Sequence, residues 1–348
     1  MPRSDVRTKS RPRETRFSDG RPMIEKLLLF RSRSTDIHEN LALEQHLAQN
    51  VQSGQLILFL WQNRSCVVIG RNQNAFRECR TDILSAEGVT LSRRLSGGGA
   101  VYQDMGNLNF TFCSNEEDSD IERQHRVILE ACRILGIDAS VSGRNDLLTE
   151  GCKFSGNSFY SHDGKSFHNG TILLAVDLKK MEKCLSPSKM KLASKAVDSV
   201  RSRVINLRTI RPDIDSTKMC DALRKAFSMV YEKEITEINS DTLDKEDIEA
   251  KRRFFSSYEW VYGRNASFPI SMQRRFSWGE ISVNIEIQGG LCSDVKVFTD
   301  ALDYSLAQSL ENALKGTRFD KTELCERVRN AHVPYHEDIC NMLQEELI

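Results

Sequence analysis

Hydrophobic residues first recur with the period of a secondary-structure element between residues 25 and 88. Leu41, Leu43, Leu47 and Val51 follow a helical spacing within 40–51. The apolar runs 56–61 and 66–70 are separated only by QNRS, so we expect them to pair as a hairpin of buried strands. The stretch 81–88 predicts a short helix that Gly88 closes as a C-cap.

Further along, strand-like runs flank a glycine loop within 89–114. Ser119 and Glu122 have the spacing of a capping box, and they predict a helix that ends at Gly136. This helix should bury one apolar face, formed by Ile121, Ile128, Leu129, Cys132 and Leu135.

The pattern from 139 to 177 is again strand and turn, with HDGK (162–165) as a hairpin tip. A loop rich in Ser and Lys follows at 186–203. Helices are then predicted near 216–231 and 242–257.

The C-terminal part changes character. Residues 281–287 alternate strictly, with Ile281, Val283, Ile285 and Ile287 on one face and polar side chains on the other. A QGG turn and a returning strand predict an antiparallel hairpin with one wet face. Helices near 304–315 and 320–331 should cover its apolar face.

These elements predict an α+β fold in two units. Residues 1–22 carry seven basic and three acidic residues and no apolar stripe, so we expect a disordered tail ahead of a start at Met23 rather than a transit peptide. The expected divisions are a tail at 1–22, a larger α+β domain at 23–240, a helical linker at 241–259 and a small α+β accessory domain at 260–348.

Composition narrows the possible partners. The chain has 49 basic and 49 acidic residues, so bulk charge gives no reason to expect nucleic acid or an anionic membrane as a partner. No apolar run approaches the roughly 18 residues of a membrane span. None of the ten cysteines forms a CxxC pair, and we interpret them as free thiols in a reducing compartment.

The glycine loop within 93–110 carries the most chemical information. Three successive glycines let a backbone approach a ligand closely, and their N–H groups can surround an anion. Arg93 and Arg94 stand beside them, and a guanidinium suits a phosphate. The loop matches neither the P-loop nor the dinucleotide fingerprint, so the glycines alone would equally fit a flexible turn.

Several stretches in order resemble the lipoate–protein ligase family. The glycine block RRLSGGGAVYQDMGN lies at 93–107 and is similar to that family's signature RRxSGGGAVxHDxGN. The other similar blocks are VVIGRNQNAFRECR (67–80), GRNDLL (143–148), KFSGNSFY (153–160), FHNGTILL (167–174) and KLASKAVDSVRSRVINL (191–207). The resemblance implies a catalytic domain of the biotin/lipoate ligase type, with mixed sheets and flanking helices, followed by an accessory domain.

The resemblance also implies site residues. Those expected to bind ATP are Arg94, Gly99, Ala100, Val101, Tyr102 and Lys153. Those expected to bind lipoate or its adenylate are Lys153, Arg71, Asn107, Asp146, His168 and Lys195. Lys153 is expected to be catalytic as a positive charge and not as a nucleophile.

Two positions need separate comment. The family usually has His where this chain has Gln103, which can form hydrogen bonds but cannot take up a proton near neutral pH. Related acyltransferases use a cysteine to carry the acyl group, but Cys152 should face away from the side of the strand that carries Lys153. We therefore interpret Cys152 as a packed thiol.

The implied activity is ATP-dependent ligation. Lipoate would form lipoyl-AMP with release of pyrophosphate, with Mg²⁺ on the nucleotide, and the lipoyl group would then pass to a lysine. The expected acceptors are lipoyl domains of 2-oxoacid dehydrogenases and the glycine cleavage H protein, and we expect a cytoplasmic monomer (mitochondrial in a eukaryote). The alternatives are a lipoyl or octanoyl transferase that uses a preformed donor, and a non-catalytic module that binds the adenylate. A biotin ligase is disfavoured because its GRGRxxxxW block is missing.

Overall fold

The computed structural model describes residues 24–143, 145–185, 204–262 and 270–346. The helices are α1 (Ile37–Asn50), α2 (Ala75–Glu78), α3 (Thr81–Ala86), α4 (Ile121–Ile134), α5 (Leu178–Cys184), α6 (Ser216–Tyr231), α7 (Lys245–Ser256), α8 (Tyr258–Tyr262), α9 (Leu306–Leu314), α10 (Lys321–Asn330) and α11 (His336–Glu346). Short 3-10 turns lie at Glu116–Asp118, Leu207–Thr209 and Ser240–Thr242. Within these described ranges no helix is long and apolar enough to span a membrane.

The strands form one large and two small sheets. They are β1 (Lys26–Arg31), β2 (Gln55–Trp61), β3 (Cys66–Ile69), β4 (Thr90–Arg93), β5 (Val101–Gln103), β6 (Asn107–Asn115), β7 (Ser140–Ser142), β8 (Asp146–Thr149), β9 (Cys152–His162), β10 (Lys165–Leu173), β11 (Ile235–Glu237), β12 (Ile270–Phe276), β13 (Gly279–Gln288) and β14 (Leu291–Thr299). The sheet orders are β11-β1-β2-β6-β10-β9-β8-β7, β4-β3-β5 and β12-β13-β14.

The expected hairpin of 56–61 with 66–70 is wrong. β2 lies between β1 and β6 of the large sheet, whereas β3 lies between β4 and β5 of a small one. Both runs are apolar at every position because both faces of each strand are covered, so their pattern carries no information about pairing.

Each face of the large sheet has its own core. Leu56, Leu58 and Leu60 of β2 pack with α4 and α6. Ile57, Phe59 and Trp61 of the same strand pack with α1 and with Phe255 of α7. This alternation along one strand places helices on both sides of the sheet.

The capping residue of α4 also differs from expectation. Asp120, not Ser119, is the N-cap, and its side chain accepts a hydrogen bond from the Arg123 N–H. The two residues are neighbours of similar capping preference, so the sequence alone does not decide between them. The predicted turn at 162–165 is confirmed, since β9 and β10 are joined there.

The C-terminal unit has the predicted hairpin and helices, together with a further strand, β12, and a further helix, α11. Its apolar face packs against α9, α10 and α11. The opposite face is not wet as expected, because Ser282 and Asn284 are buried. The Thr299 N–H donates to Asn72 O at 2.9 Å, which joins this sheet to the segment after β3.

Candidate active site

A cavity of about 170 Å³ with both polar and apolar walls lies where the large sheet meets the β4-β3-β5 sheet. Strands β6, β9 and β10 supply one wall, and the glycine loop with β5 supplies the other. The lining includes Trp61, Arg94, Gly98, Gly99, Gln103, Asn109, Lys153, Ser158 and Asn169.

The glycine loop is packed between two backbones. A Cβ on Gly97 would lie 2.4 Å from Ala301 O, and one on Gly70 would lie 2.1 Å from Gly98 O. Gly98 has a φ of +88° and donates its N–H to Ala301 O at 2.9 Å. Gly99 has no atom within 4 Å of a built Cβ, so of these glycines it leaves space on the cavity side.

Arg94 holds this loop in shape. Its Nη2 donates to Gly97 O at 2.6 Å and to Gly99 O at 2.9 Å, and its Nη1 donates to Val68 O at 3.1 Å. Burial lowers the pKa of Arg94 to about 10, and nearby Glu44 opposes that shift. Arg94 is therefore still a cation at neutral pH, and it places positive charge in the cavity wall.

Arg93, which the sequence also places beside the glycines, does not line the cavity. Its side chain is fully buried and donates to backbone carbonyls of the segment after β3 and of α8. The acceptors are Gly70 O, Arg71 O, Gln73 O, Trp260 O and Val261 O. Arg93 thus has a structural role that fixes the region around the loop.

Lys153 and Asp146 form an ion pair at the opposite side of the cavity. Lys153 Nζ lies 2.6 Å from Asp146 Oδ1, and both side chains are about one-third exposed. A Cβ on Gly156 would lie 3.0 Å from Lys153 Nζ, so this glycine makes room for the ammonium group. The wall formed by the described residues includes Lys153 but not Cys152, its neighbour on β9.

Of the expected ATP-binding residues not yet described, two line the cavity and one does not. Ala100 and Val101 are in the wall, whereas the ring of Tyr102 packs into the core of the small sheet. Tyr102 Oη donates to Ser65 Oγ at 3.4 Å, and burial raises the pKa of Tyr102 to about 12. Any contact of Tyr102 with a ligand would therefore come from its backbone.

His168 lies behind the wall. Its Nδ1 is 2.9 Å from Gln124 Oε1 and its Nε2 is 2.9 Å from Asn157 Oδ1. Burial, together with His125, holds the pKa of His168 well below its usual value, so the ring is neutral. His168 can position Asn157, which lines the cavity, but it does not itself reach the cavity.

The remaining expected residues lie at the edges of the site. Asn107 is fully buried and donates from Nδ2 to Asn109 Oδ1 at 3.0 Å, so it supports a lining residue. The Arg71 guanidinium lies 5.7 Å from the centre of the Trp260 ring, outside the cavity wall. Lys195 lies outside the described residues.

A buried acid next to the cavity was not predicted from the sequence. Glu44 of α1 is 2% exposed, and its Oε1 accepts hydrogen bonds from Thr111 Oγ1 at 2.7 Å and Asn169 Nδ2 at 3.0 Å. Burial raises the pKa of Glu44 to about 7, although both donors and Arg94 oppose the shift. Its signal in the sequence is a charged residue on the helical face that also carries Leu41 and Leu47.

Glu44 connects to the glycine loop through hydroxyl and amide groups. Ser158 Oγ donates to Asn169 Oδ1 at 2.5 Å, so the 2.8 Å contact between Ser96 Oγ and Ser158 Oγ is donated by Ser96. Ser96 directly precedes the three glycines. The chain of hydrogen bonds therefore runs from the loop, along the wall, to the buried carboxyl group of α1.

The described residues offer no cage for a resident metal. No group of three or more His, Cys, Asp or Glu side chains within the described ranges could hold an ion. Mg²⁺ often binds through substrate phosphates with few protein ligands.

Comparison with known proteins decides the family. Residues 36–228 match the family described as "Lipoyl protein ligase A/B catalytic domain", and residues 265–348 match "Bacterial lipoate protein ligase C-terminus". A lipoate-protein ligase A of Blochmanniella pennsylvanica is 37% identical over 311 residues, 86% of this chain and 91% of the relative. The chain belongs to the lipoate–protein ligase family. The family, the ligase class of the activity and the α+β fold that the motifs implied are thereby confirmed.

Solved structures of lipoate–protein ligases agree with this assignment. The structure of P. falciparum LipL1 in complex with lipoate has a TM-score of 0.82 at 27% identity, covering 92% of this chain and 100% of that one. A lipoate-protein ligase A bound with ATP has a TM-score of 0.56 at 26% identity, covering 69% of this chain and 99% of that one.

Proposed function

We propose that this chain joins lipoate to AMP with ATP and then transfers the lipoyl group to a lysine of a partner protein. One observation carries the proposal: Arg94, Gly99 and Lys153 converge on one cavity in a member of the lipoate–protein ligase family. Two cations and backbone N–H groups around a small cavity suit an acyl adenylate.

In the first step, a carboxylate oxygen of lipoate attacks the α-phosphorus of ATP. The bond from that phosphorus to the bridging oxygen breaks, and pyrophosphate leaves. Negative charge builds up on the phosphate oxygens, so fixed positive charge lowers the barrier. Arg94 and Lys153 supply that charge, and backbone donors in 99–102 complete the ATP site.

In the second step, the ε-amine of an acceptor lysine attacks the acyl carbonyl carbon. The bond to the AMP oxygen breaks, an amide forms, and the attacking nitrogen loses a proton. Lys153 would stabilise the oxyanion on the carbonyl, and removing one such donor costs on the order of 10²–10³ in rate. Asp146 positions Lys153 through their ion pair.

The other residues have supporting roles in this proposal. Asn107 and His168 lie behind the wall and act through the lining residues Asn109 and Asn157. Arg71 and Lys195, which family motifs imply, remain proposed contacts for the adenylate. MgATP is the nucleotide substrate, and the proposed catalytic and accessory domains are 23–240 and 260–348, with 241–259 between them.

The proposed acceptors are apo lipoyl domains of 2-oxoacid dehydrogenase complexes and the glycine cleavage H protein. The proposed working form is a cytoplasmic monomer. Activity toward both kinds of acceptor protein, the lipoyl domains and the H protein, would show as amide-linked lipoyl groups on their target lysines.

The test combines lipoate, MgATP and an apo lipoyl domain, with pyrophosphate release and acceptor mass as the two measurements. We expect both products with the wild-type chain, and loss of adenylate formation by Lys153→Ala with an unchanged thermal unfolding midpoint. Lys225→Ala, on an exposed part of α6, is the matched control for losing a lysine.

The two measurements separate the alternatives. Acceptor lipoylation from preformed lipoyl-AMP without pyrophosphate release from ATP would identify a transferase. Neither product, with binding of the adenylate retained, would identify a non-catalytic binding module. Normal adenylate formation by Lys153→Ala would refute the assignment of Lys153.

A further inference from the structure

The side-chain amide of Gln103 is held through its oxygen. Gln103 ends β5 in the cavity wall, and its Oε1 accepts hydrogen bonds from Asn63 Nδ2 at 2.6 Å and Asn109 Nδ2 at 3.3 Å. Among the described residues, none forms a hydrogen bond with Gln103 Nε2. The two N–H groups of this nitrogen therefore face the cavity.

Neighbouring amides dictate this orientation. Asn40 Nδ2 lies 3.1 Å from Ser34 O and 3.0 Å from Gln62 O, and these backbone carbonyls can only accept. The Asn40 nitrogen must therefore point this way, and it also donates to Asn63 Oδ1 at 2.9 Å. Asn63 then has only its Nδ2 left for Gln103, which must present Oε1 in return.

A second branch gives the same result. Asn107 Nδ2 donates to Asn109 Oδ1, so the nitrogen of Asn109 is the end that faces Gln103 Oε1. This branch agrees with the first one, which the two backbone carbonyls anchor, in turning the same oxygen away from the cavity. Reversing Gln103 would place its N–H groups against two other N–H donors.

The cavity neighbours of Gln103 indicate what the donor is for. Arg94 and Lys153 line the same cavity and provide positive charge for an anionic ligand. A glutamine N–H adds a neutral donor whose protonation does not change over the working pH range. An acyl adenylate offers acceptor oxygens on both its carbonyl and its phosphate.

We propose that Gln103 donates a hydrogen bond from Nε2 to an oxygen of the acyl phosphate anhydride. Asn40 and Asn63 are positioning residues that keep this donor turned toward the cavity. The inference rests on the proposed function, since the anhydride is its intermediate. It assigns a defined role to the position where this chain departs from the family's histidine.

The test is Asn63→Asp, a change of one atom at a residue outside the cavity wall. The introduced carboxylate still accepts from Asn40, but it now also accepts where Asn63 donated. Gln103 must then turn over, donate to this carboxylate and present Oε1 to the ligand. We expect kcat for adenylate formation to fall on the order of 10²-fold, with a smaller change in the KM for ATP.

A double-mutant cycle with Gln103→Ala separates this effect from general damage. If Asn63 acts through the Gln103 amide, Asn63→Asp has little further effect once Gln103→Ala has removed that amide. Asn239→Asp, at an exposed 3-10 N-cap where a carboxylate can still accept, controls for the added charge. Multiplicative effects of the two changes, or unchanged kcat in Asn63→Asp, would overturn the inference.

Gln103→Glu gives a second route if Asn63→Asp fails to fold. The glutamate carboxylate still accepts from both asparagine donors, but it turns an oxygen instead of an N–H group to the cavity. We therefore expect adenylate formation by Gln103→Glu to be slower than by Gln103→Ala. Equal or faster turnover would overturn the inference. Wild-type protein that releases no pyrophosphate would overturn the proposed function as well, whereas an active wild type with indifferent variants would overturn the inference alone.

Discussion

Replacing Glu44 by glutamine should change how stability depends on pH. The Glu44 carboxyl group is buried with two hydrogen-bond donors, and its pKa is about 7 instead of the usual 4.5. Glutamine keeps an oxygen that can accept from Thr111 and Asn169. The substitution therefore removes the titration while it preserves the shape and the donors' partner.

The sign follows from proton binding. Between pH 4.5 and about 7 the native state holds a proton on Glu44 that the unfolded chain has released. Native stability therefore falls as pH rises through this window and levels off above about pH 7. At about 1.4 kcal/mol per pKa unit, the full change is roughly 3 kcal/mol, of which about 2.5 kcal/mol falls between pH 5 and 8.

The measurement is the difference in unfolding free energy between Glu44→Gln and wild type, from urea denaturation across that range. Burial also lowers the pKa values of His38 and His125, but these contributions are common to both proteins and cancel in the difference. Glu122→Gln, at an exposed position of α4, controls for losing a negative charge. We expect the unfolding free energy of Glu44→Gln to increase relative to that of wild type as pH rises.

Parallel stability curves for wild type and Glu44→Gln between pH 5 and 8 would refute this reasoning. Such curves would mean that Glu44 releases its proton at the same pH in the folded and unfolded chain. A loss of stability of Glu44→Gln relative to wild type as pH rises would show that the folded protein prefers the ionised carboxylate and that burial does not dominate its pKa.

Three further predictions concern packing and chemistry around the cavity. Gly97→Ala should lower the thermal midpoint, because its Cβ would lie 2.4 Å from Ala301 O, whereas Gly99→Ala should keep the midpoint but weaken ATP binding, measured by titration calorimetry. Arg93→Met should destabilise the protein by at least about 3 kcal/mol in urea denaturation, because it leaves buried carbonyls without donors. Cys152→Ser should keep most of its acyl-transfer activity in the acceptor mass assay.

Each of these predictions has a contrary result. Equal midpoints for Gly97→Ala and wild type would show that the loop can move away from Ala301. A loss below about 1 kcal/mol for Arg93→Met would show that water replaces the guanidinium. Near-total inactivity of Cys152→Ser would favour a covalent thioester route.

The helices were predicted most reliably, because the apolar spacing of α6 and α9 directly reflects the face each one buries. The pairing of β2 and β3 was not predictable, because strands covered on both faces show no alternation. The burial of Ser282 and Asn284 was not predicted for the opposite reason. Their alternation is regular, but the segment after β3 comes to lie against the sheet, a long-range contact that local sequence does not encode.

The candidate site was likewise predicted only in part from the sequence. The motifs identified Arg94, the glycines and Lys153, whose residue types match the ligand's charge. Residue type alone did not distinguish Arg94 from its neighbour Arg93, and it was the family resemblance that selected Arg94, whose side chain is the one that reaches the cavity. Neutral groups such as Asn169 and Ser158 carry no charge signature, and Glu44 lies in a helix whose apolar spacing otherwise indicates only core packing.

The buried guanidinium of Arg93 has a consequence for dividing the chain into fragments. Two of its carbonyl acceptors, Trp260 O and Val261 O, come from α8, far from the other three in sequence. A fragment that ended at residue 240 would expose this cation and also strip α7 from α1. The smallest autonomous piece that contains the cavity should therefore extend at least through Tyr262, so the linker belongs physically to the unit it follows.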